Sequence, residues 1–244
     1  MQTTGNTILI TGGTSGIGLA FAEEFIRLKN KVIICGRRKE RLKQLQQKHP
    51  DLVTRFCDIA NAEERVSLAQ WTINTYPDVN IPINNAGIQL IADLTKPVDL
   101  TRIHHEVETN FIAPVHLSSL FAQHLTKKNN SAIINISSGL AFVPIAFMPV
   151  YCATKAAIHS LTLLLRHQLK NTVVKVFEIA PPTVDTELGH DRREDKTQTH
   201  GGLPVADFIA EAMQAIENDM YEAPIAQAKN LREKREAMFS VMNK

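Results

Sequence analysis

Cysteine is scarce in this chain. The three cysteines are Cys35, Cys57 and Cys152, and none of them belongs to a C-x-x-C pair. So few thiols at such spacings exclude a disulfide-rich secreted fold and argue against a structural zinc site. The pattern predicts a protein of a reducing compartment, and we predict no metal site.

Excess charge, long apolar runs and a leader segment are also missing. The formal net charge is +2, which is too small to predict nucleic acid binding. No window reaches the ~20 apolar residues of a membrane span, and the start of the chain lacks a basic stretch before an apolar run. The sequence therefore predicts a cytoplasmic protein that binds neither nucleic acid nor membrane.

Short β-branched runs alternate with helical patterns along most of the chain. We predict strands at Thr7–Ile10, Lys31–Cys35, Val53–Cys57, Ile81–Ile83, Ala132–Ile136 and Val173–Ile179, and an extended piece at Tyr221–Ile225. This alternation is typical of an α/β protein with one Rossmann-type, doubly wound parallel sheet flanked by helices. The 244 residues suffice for a single domain with a full core.

A glycine-rich turn follows the first predicted strand. The turn, Thr11–Gly18, contains Gly12, Gly16 and Gly18 in a G-x-x-x-G-x-G spacing, and an amphipathic helix comes next. Glycines let the backbone approach a pyrophosphate, and a helix N-terminus offers free N–H groups. A flexible surface turn is the alternative interpretation.

Two arginines occupy the place where a dinucleotide site would carry an acid. Gly36, Arg37 and Arg38 follow the second predicted strand. An acid there would favour NAD, whereas guanidinium groups suit the 2′-phosphate of NADP. Alternatively, the arginines only open the basic helix that runs to about Lys48.

The ends of the next two strands carry polar side chains. Asp58 can accept a hydrogen bond from an adenine amino group, or it can cap the predicted helix Ala62–Thr75, and the sequence does not choose between these roles. The stretch Asn84–Gly87 follows the fourth strand, where amides and small residues permit close packing against a cofactor ribose.

The second half of the chain is predicted to hold a long helix at Leu100–Lys127, a helix from Tyr151 to about Leu169 and a helix at Val205–Glu217. The polar, irregular stretch at about 183–204 is predicted to be a substrate lid. The last predicted helix, about 230–242, has Leu231, Met238 and Met242 on one side and many charges on the other.

Tyr151 and Lys155 lie four residues apart, so they share one face of a helix. An ammonium close to a phenol favours the phenolate and would lower the pKa of the tyrosine from its usual value of about 10. Tyr151 is therefore a candidate proton donor or acceptor, although the same pair also occurs by chance on surface helices.

These motifs together resemble the short-chain dehydrogenase/reductase family over Thr7–Thr186, about three quarters of the chain. Four motifs occur in the order and spacing of that family. They are the glycine turn, Asn84–Gly87, Ser138 thirteen residues before Tyr151, and Tyr151-x-x-x-Lys155.

The resemblance implies a role for each of these positions. Tyr151 would be the general acid/base, Lys155 would bind the nicotinamide ribose, Ser138 would bind the substrate oxygen, and Asn110 would hold a water that links Lys155 to solvent. Arg37 would bind the 2′-phosphate and Asp58 the adenine. The further cofactor contacts implied for NADP(H) are Gly12, Thr14, Ser15, Gly16, Ile17, Gly18, Arg38, Ile59, Asn85, Ala86, Gly87, Pro181, Val184 and Thr186.

Two departures from the family pattern concern Pro182 and the tail. Pro182 stands where the family usually has glycine, so the path beside the nicotinamide is expected to differ. The tail from Tyr221 lacks the usual glycine-containing last strand but is similar to DltE-type bacterial members. The resemblance also implies that the helices around Asn110–Lys127 and Tyr151–Leu169 pair with a second subunit, giving a homodimer or homotetramer.

The sequence thus predicts an NADP(H)-dependent enzyme that interconverts a small-molecule carbonyl and an alcohol. A protein of the same fold that binds NADP(H) as a sensor or regulator, without turnover, is the alternative. A serine hydrolase based on Ser138 is a poor match, because no histidine can be placed beside this serine and there is no G-x-S-x-G motif. The apolar stretch Leu140–Met148 is interpreted equally well as pocket lining, as core or as subunit contact.

Overall fold

A seven-stranded parallel sheet forms the centre of the protein, with strand order β3-β2-β1-β4-β5-β6-β7. The computed structural model describes residues 1–188 and 201–244. The strands are β1 (Thr7–Thr11), β2 (Lys31–Gly36), β3 (Val53–Phe56), β4 (Val79–Asn84), β5 (Ala132–Ile136), β6 (Lys175–Ala180) and β7 (Glu222–Pro224). The predicted fold class is confirmed, and the extended piece near Tyr221 proves to be the edge strand.

Helices cover both faces of this sheet. They are α1 (Gly16–Arg27), α2 (Lys39–Lys48), α3 (Ala62–Thr75), α4 (Leu100–Val107), α5 (Ala113–Leu125), α6 (Pro149–Gln168), α7 (Val205–Glu217), α8 (Ala228–Lys234) and α9 (Phe239–Met242). Within the described ranges, no helix is both long enough and apolar enough to cross a membrane.

The side chains of β1 show how the two layers of helices are held. Ile8 and Ile10 join a core with Phe21 of α1 and Phe208 of α7, whereas Leu9 points to a second core with Phe121 of α5. Successive residues of a strand face opposite sides of the sheet. The apolar runs are therefore buried on both sides, as a doubly wound sheet requires.

The predicted long helix Leu100–Lys127 is wrong in its middle. Helix α4 ends at Val107, a π-helical segment spans Glu108–Ile112, and α5 begins at Ala113. The cause is Pro114, which has no N–H to donate to the carbonyl of Asn110 four residues earlier and whose ring would collide with that carbonyl. The wider turn resolves this conflict at Asn110.

The predicted last helix is also wrong. Helix α8 ends at Lys234, a 3₁₀ turn spans Arg235–Met238, and Arg235 has a φ of 46°. Leu231 and Met238 pack on Phe142, so the tail follows the shape of that surface rather than a straight helical axis. Tertiary packing overrides helical periodicity here.

The predicted lid is described only at its ends, since positions 189–200 lie outside the described residues. Val184 forms an isolated parallel bridge with Leu203, and Leu203 N donates to the Thr183 carbonyl at 2.8 Å. The two ends of this segment are therefore joined beside the carboxyl end of β6.

Candidate active site

The glycine turn between β1 and α1 has the backbone shape that an anion cradle needs. Gly12 and Gly16 have φ values of 66° and 53°, in the left-handed region. A Cβ atom on Gly12 would lie 2.7 Å from Ala86 Cα, so only glycine fits. Ser15 precedes α1 but makes no side-chain capping bond, unlike Asn61 before α3, so Ile17, Gly18 and the rest of the first turn offer uncapped N–H groups.

Arg38 lies directly on this turn. Its guanidinium donates to Thr14 Oγ1 at 2.9 Å and to Ser15 Oγ at 2.6 Å, and it pairs with Glu187 at 2.7 Å. Arg37 points elsewhere, with its Nη1 2.9 Å from His105 Nε2 and 4.0 Å from Asp58 Oδ2. Two exposed guanidinium groups thus flank the carboxyl ends of β1 and β2.

Asp58 follows β3 but is not the cap of α3. Asn61 accepts from the first-turn amides of that helix, whereas Asp58 Oδ1 accepts from Ala60 N at 3.0 Å. The capping interpretation of Asp58 is therefore wrong, and one carboxylate edge faces Arg37. The side chain of Ile59 is buried in the core, so only its backbone can contribute to a ligand site.

Asn85 and Ala86 tie the end of β4 to the glycine turn. Asn85 Nδ2 donates to the Thr11 carbonyl at 2.9 Å, and Thr11 Oγ1 accepts from the backbone N–H groups of both Asn85 and Ala86. These bonds fix the edge on which a ribose would lie.

Tyr151 and Lys155 are both buried on the inner face of α6. The Lys155 ammonium lies 5.7 Å from the centroid of the Tyr151 ring and donates to the Ile136 carbonyl of β5 at 2.9 Å. Burial lowers the pKa of Lys155 to about 8, and the negative charge of Glu178 partly opposes this shift. Lys155 is thus an ammonium that can lose its proton near neutral pH.

The π-helical segment brings Asn110 to the same place. Asn110 Oδ1 accepts from Ile88 N at 2.9 Å, and Nδ2 donates to Thr154 Oγ1 of α6 at 3.2 Å. A Cβ atom on Gly87 would lie 3.4 Å from Asn110 Oδ1 and 3.7 Å from Lys155 Nζ. Asn110 Oδ1 and Lys155 Nζ therefore both lie close to Gly87.

Ser138 sits at the carboxyl end of β5, on a turn that packs against α6. Its Oγ accepts from Leu140 N at 3.1 Å, which leaves the hydroxyl hydrogen available for another acceptor. The next amide, Gly139 N, donates to the Pro181 carbonyl at 2.8 Å. Pro181, the first residue of the double proline, therefore supports the Ser138 turn through its carbonyl.

Thr186 and Val184, two predicted cofactor residues after β6, do not lie in the same kind of place. Thr186 lies over the glycine turn, with its Cβ 3.1 Å from where a Cβ of Gly16 would be. The side chain of Val184 belongs to the core instead.

The tail supplies residues that sequence reasoning missed. Met242 packs with Ile145 and Met148 in the cluster that contains Tyr151. Asn243 Nδ2 donates to the Pro144 carbonyl at 3.0 Å, which fastens the tail to the loop before α6. The apolar side of the last predicted helix was the available signal, but the sequence did not show which surface it covers.

The Leu140–Met148 stretch serves more than one purpose. Ile145 and Met148 surround Tyr151, Phe142 and Val143 are core residues against the tail, and Phe147 is exposed. This stretch is therefore partly core and partly surface.

Comparison with known proteins agrees with this geometry. The family model described as short chain dehydrogenase matches residues 6–197. The chain belongs to the short-chain dehydrogenase family. It is therefore an oxidoreductase of that family.

Two curated relatives within the short-chain dehydrogenase family cover most of the chain. The uncharacterized oxidoreductase DltE of Bacillus subtilis (strain 168) is 43% identical over 100% of this chain and 98% of its own. The NADP-dependent 3-hydroxy acid dehydrogenase YdfG of Salmonella typhi is 31% identical over 84% of this chain and 86% of its own. The resemblance of the tail to DltE-type members is thereby confirmed.

Solved short-chain dehydrogenases share the fold over the whole chain. One from Burkholderia cenocepacia J2315, in complex with NADP, has a TM-score of 0.85 at 25% identity and covers 100% of both chains. One from Burkholderia phymatum, in complex with NAD, has a TM-score of 0.87 at 21% identity and covers 100% of this chain and 97% of its own.

Proposed function

We propose that this protein interconverts a carbonyl and an alcohol with NADP(H) as the hydride carrier and Tyr151 as the general acid/base. The observation that carries the proposal is the grouping of Tyr151, Lys155 and Asn110 beside Gly87 and α6. Ser138 lies on a turn that packs against α6, and the glycine turn before α1 leaves the helix N-terminus without a side-chain cap. Bound NADPH would supply the hydride to the carbonyl carbon.

The protein residues handle the proton and the orientation. Tyr151 gives its phenolic proton to the carbonyl oxygen as the alcohol forms, and it takes the proton back in the oxidation direction. The Ser138 hydroxyl donates a hydrogen bond to the same oxygen, while its own Oγ is held by Leu140 N. The Lys155 ammonium favours the phenolate and binds the ribose.

Consumption of NADPH by the purified protein, with a panel of small ketones, aldehydes and keto acids, tests this proposal. A sensor of the same fold would bind NADPH and consume none. The name of the YdfG relative makes 3-oxo acids sensible members of the panel.

We expect NADPH to bind at least ~tenfold more tightly than NADH, about 1.4 kcal/mol. The 2′-phosphate would gain charge-assisted bonds from Arg37 and Arg38, which flank the turn where it would lie. Arg37→Asp and Arg38→Asp should each remove most of this preference, measured by fluorescence titration with both cofactors.

Lys43→Asp is the matched control, because it makes the same charge change at an exposed site on α2. It should keep the preference. Equal affinity of the unmutated protein for NADPH and NADH would contradict the assignment.

We also propose that the protein is a homo-oligomer built on α4, α5 and α6. An open, mostly apolar groove of about 390 Å³ lies between the end of α4, the π-helical segment and α6. Its lining residues are Leu94, Val107, Phe111, Pro149, Val150, Ala153, Thr154 and Ala157. Leu164, 59% exposed, continues the same face of α6. A second copy that presents this face would cover both apolar surfaces.

Light scattering at micromolar concentration should give at least the dimer mass, and Leu164→Glu should shift the protein toward monomer because it buries a charge in the contact. Phe56→Glu, at an exposed apolar site on β3, should leave the mass unchanged. A monomer mass for the unmutated chain would contradict the proposal.

The cysteines support a cytoplasmic location, which we also propose. Cys35, Cys57 and Cys152 are all buried and free, as expected for a protein that meets a reducing environment.

A further inference from the structure

A second polar cluster lies under α6, one helical turn beyond Lys155. His159 Nδ1 is 2.7 Å from Glu178 Oε2, and Glu178 on β6 is fully buried. The other carboxylate oxygen, Glu178 Oε1, is buried and has no hydrogen-bond partner among residues 1–188 and 201–244. A buried carboxylate with one partner is costly unless a positive charge is close.

The packing of α6 on β5 and β6 places the Glu178 carboxylate on the same side of α6 as Lys155. Lys155 donates to the Ile136 carbonyl of β5, and Thr162, two turns later, accepts from Asn135 of β5. Glu178 pairs with Asn135 in the sheet register, and its contact with His159 falls between those two anchors. Lys155 and Glu178 therefore lie in the same helix–sheet interface, about one turn of α6 apart.

Other charged groups lie nearby, and a carboxylate oxygen of Glu222 on β7 is within 4.8 Å of the His159–Glu178 pair. Arg232 of α8 pairs with Glu222 of β7, and Arg166 donates to the Val176 and Tyr221 carbonyls. The groups that face this interface are Tyr151, Lys155 and His159 of α6, Glu178 of β6, Glu222 of β7, Arg232 of α8 and Glu106 of α4. Among the carboxylates of residues 1–188 and 201–244, the charge of Glu106 acts on Cys152 and the charge of Glu178 acts on Lys155.

We propose that Glu178, held in place by His159, is a positioning residue that keeps the Lys155 side chain in its charged form beside Tyr151. Burial alone favours the neutral amine of Lys155, and a fixed negative charge across the interface favours the ammonium. His159 contributes by holding the carboxylate below α6. Lys155 thereby keeps its positive charge although its side chain is buried.

The sign of the pH effect follows from this arrangement. The ammonium of Lys155 is present below a pH of about 8 and is lost as the pH rises through that value. Removing the negative charge of Glu178 lowers this midpoint further, so that neutral amine appears nearer pH 7. The expected shift is about one unit, which is a tenfold change in the ammonium-to-amine ratio at any given pH.

Titration of Lys155 by NMR tests the proposal without cofactor or substrate. The protein is labelled with ¹³C at the lysine Cε, and the Lys155 signal is assigned by its loss in Lys155→Met. Glu178→Gln should move the midpoint down by about one unit, and Glu178→Asp, which keeps the charge, should restore most of it. His159→Leu should move it in the same direction as Glu178→Gln, by a smaller amount.

Glu222→Gln is the matched control, since it neutralises the neighbouring carboxylate whose partner is Arg232. The pH midpoint of the Lys155 titration in this variant should equal that of the unmutated protein. An unchanged midpoint in Glu178→Gln overturns the proposal. If that variant does not fold, an unchanged midpoint in His159→Leu, at a partly exposed position, overturns it equally.

The consequence for turnover rests on the proposed function. The ratio of kcat at pH 9 to kcat at pH 7 should fall about fivefold in Glu178→Gln and stay unchanged in Glu222→Gln. A protein that shows the NMR shift but turns over no carbonyl would contradict the proposed function and leave the role of Glu178 in place.

Discussion

Tyr151→Phe is expected to lower kcat by ~10²–10⁴ while leaving NADPH affinity nearly unchanged. The substitution removes the phenolic proton that the carbonyl oxygen receives. It keeps the ring, which packs with Ile145, Met148 and Met242, so the fold of the site should persist. Steady-state kinetics on a working substrate and fluorescence titration of NADPH measure the two effects separately.

The two other tyrosines serve as matched controls. Tyr76 packs edge-on against Trp71 and Tyr221 lies on the β7 side against Phe177, both outside the catalytic cluster. Tyr76→Phe and Tyr221→Phe should retain full turnover. Near-normal kcat in Tyr151→Phe would mean that Tyr151 and Lys155 form a structural pair only.

Lys155→Met is expected to reduce activity and cofactor affinity together. It removes both the ammonium beside Tyr151 and the proposed ribose contact, while the methionine fills most of the buried space. We expect kcat to fall by at least ~10² and NADPH to bind roughly tenfold more weakly.

Lys170→Met provides the control for Lys155→Met. Lys170 follows the end of α6 and is exposed, so its loss should change neither kcat nor NADPH affinity. If Lys155→Met lowers stability alone and keeps kcat and NADPH affinity, the lysine has no part in catalysis.

The layers of the fold could be predicted because local pattern and tertiary structure agree there. The apolar runs of β1 and β2 are buried on both faces, which is the environment that continuous Val and Ile stretches indicate. The glycine spacing likewise predicted a turn whose backbone can approach a ligand. Gly12 and Gly16 take the left-handed conformation there, which few other residues adopt.

The middle of the predicted long helix failed for a physical reason that the sequence contained. Apolar periodicity continues through Leu100–Lys127, but Pro114 cannot satisfy the carbonyl of Asn110 in an α-helix. The sequence shows this conflict, whereas the way in which the chain resolves it depends on the packing of Asn110 against Ile88 and Thr154. Wider turns of this kind often occur at functional sites.

The tail and the arginine pair depended on long-range contacts that periodicity does not encode. The turn at Arg235 follows from the packing of Leu231 and Met238 on Phe142. Arg37 and Arg38 are adjacent in sequence, yet one guanidinium lies at Asp58 and the other on the Thr14–Ser15 turn. The contact of Glu178 with His159 joins β6 to the helix that precedes it, and the periodicity of either element does not show which side chains meet.

The central claim is that the protein moves a hydride from NADPH to a carbonyl carbon, and one isotope experiment tests it directly. Purified protein is mixed with NADPH deuterated at nicotinamide C4 and a carbonyl from the panel, and the product is analysed by mass spectrometry. The account predicts an alcohol with one deuterium on the former carbonyl carbon from the stereoisomer of NADPH that is used, and almost none with Tyr151→Phe. NADPH that binds to the protein yet gives no labelled alcohol with any carbonyl, from either C4 stereoisomer, would contradict it.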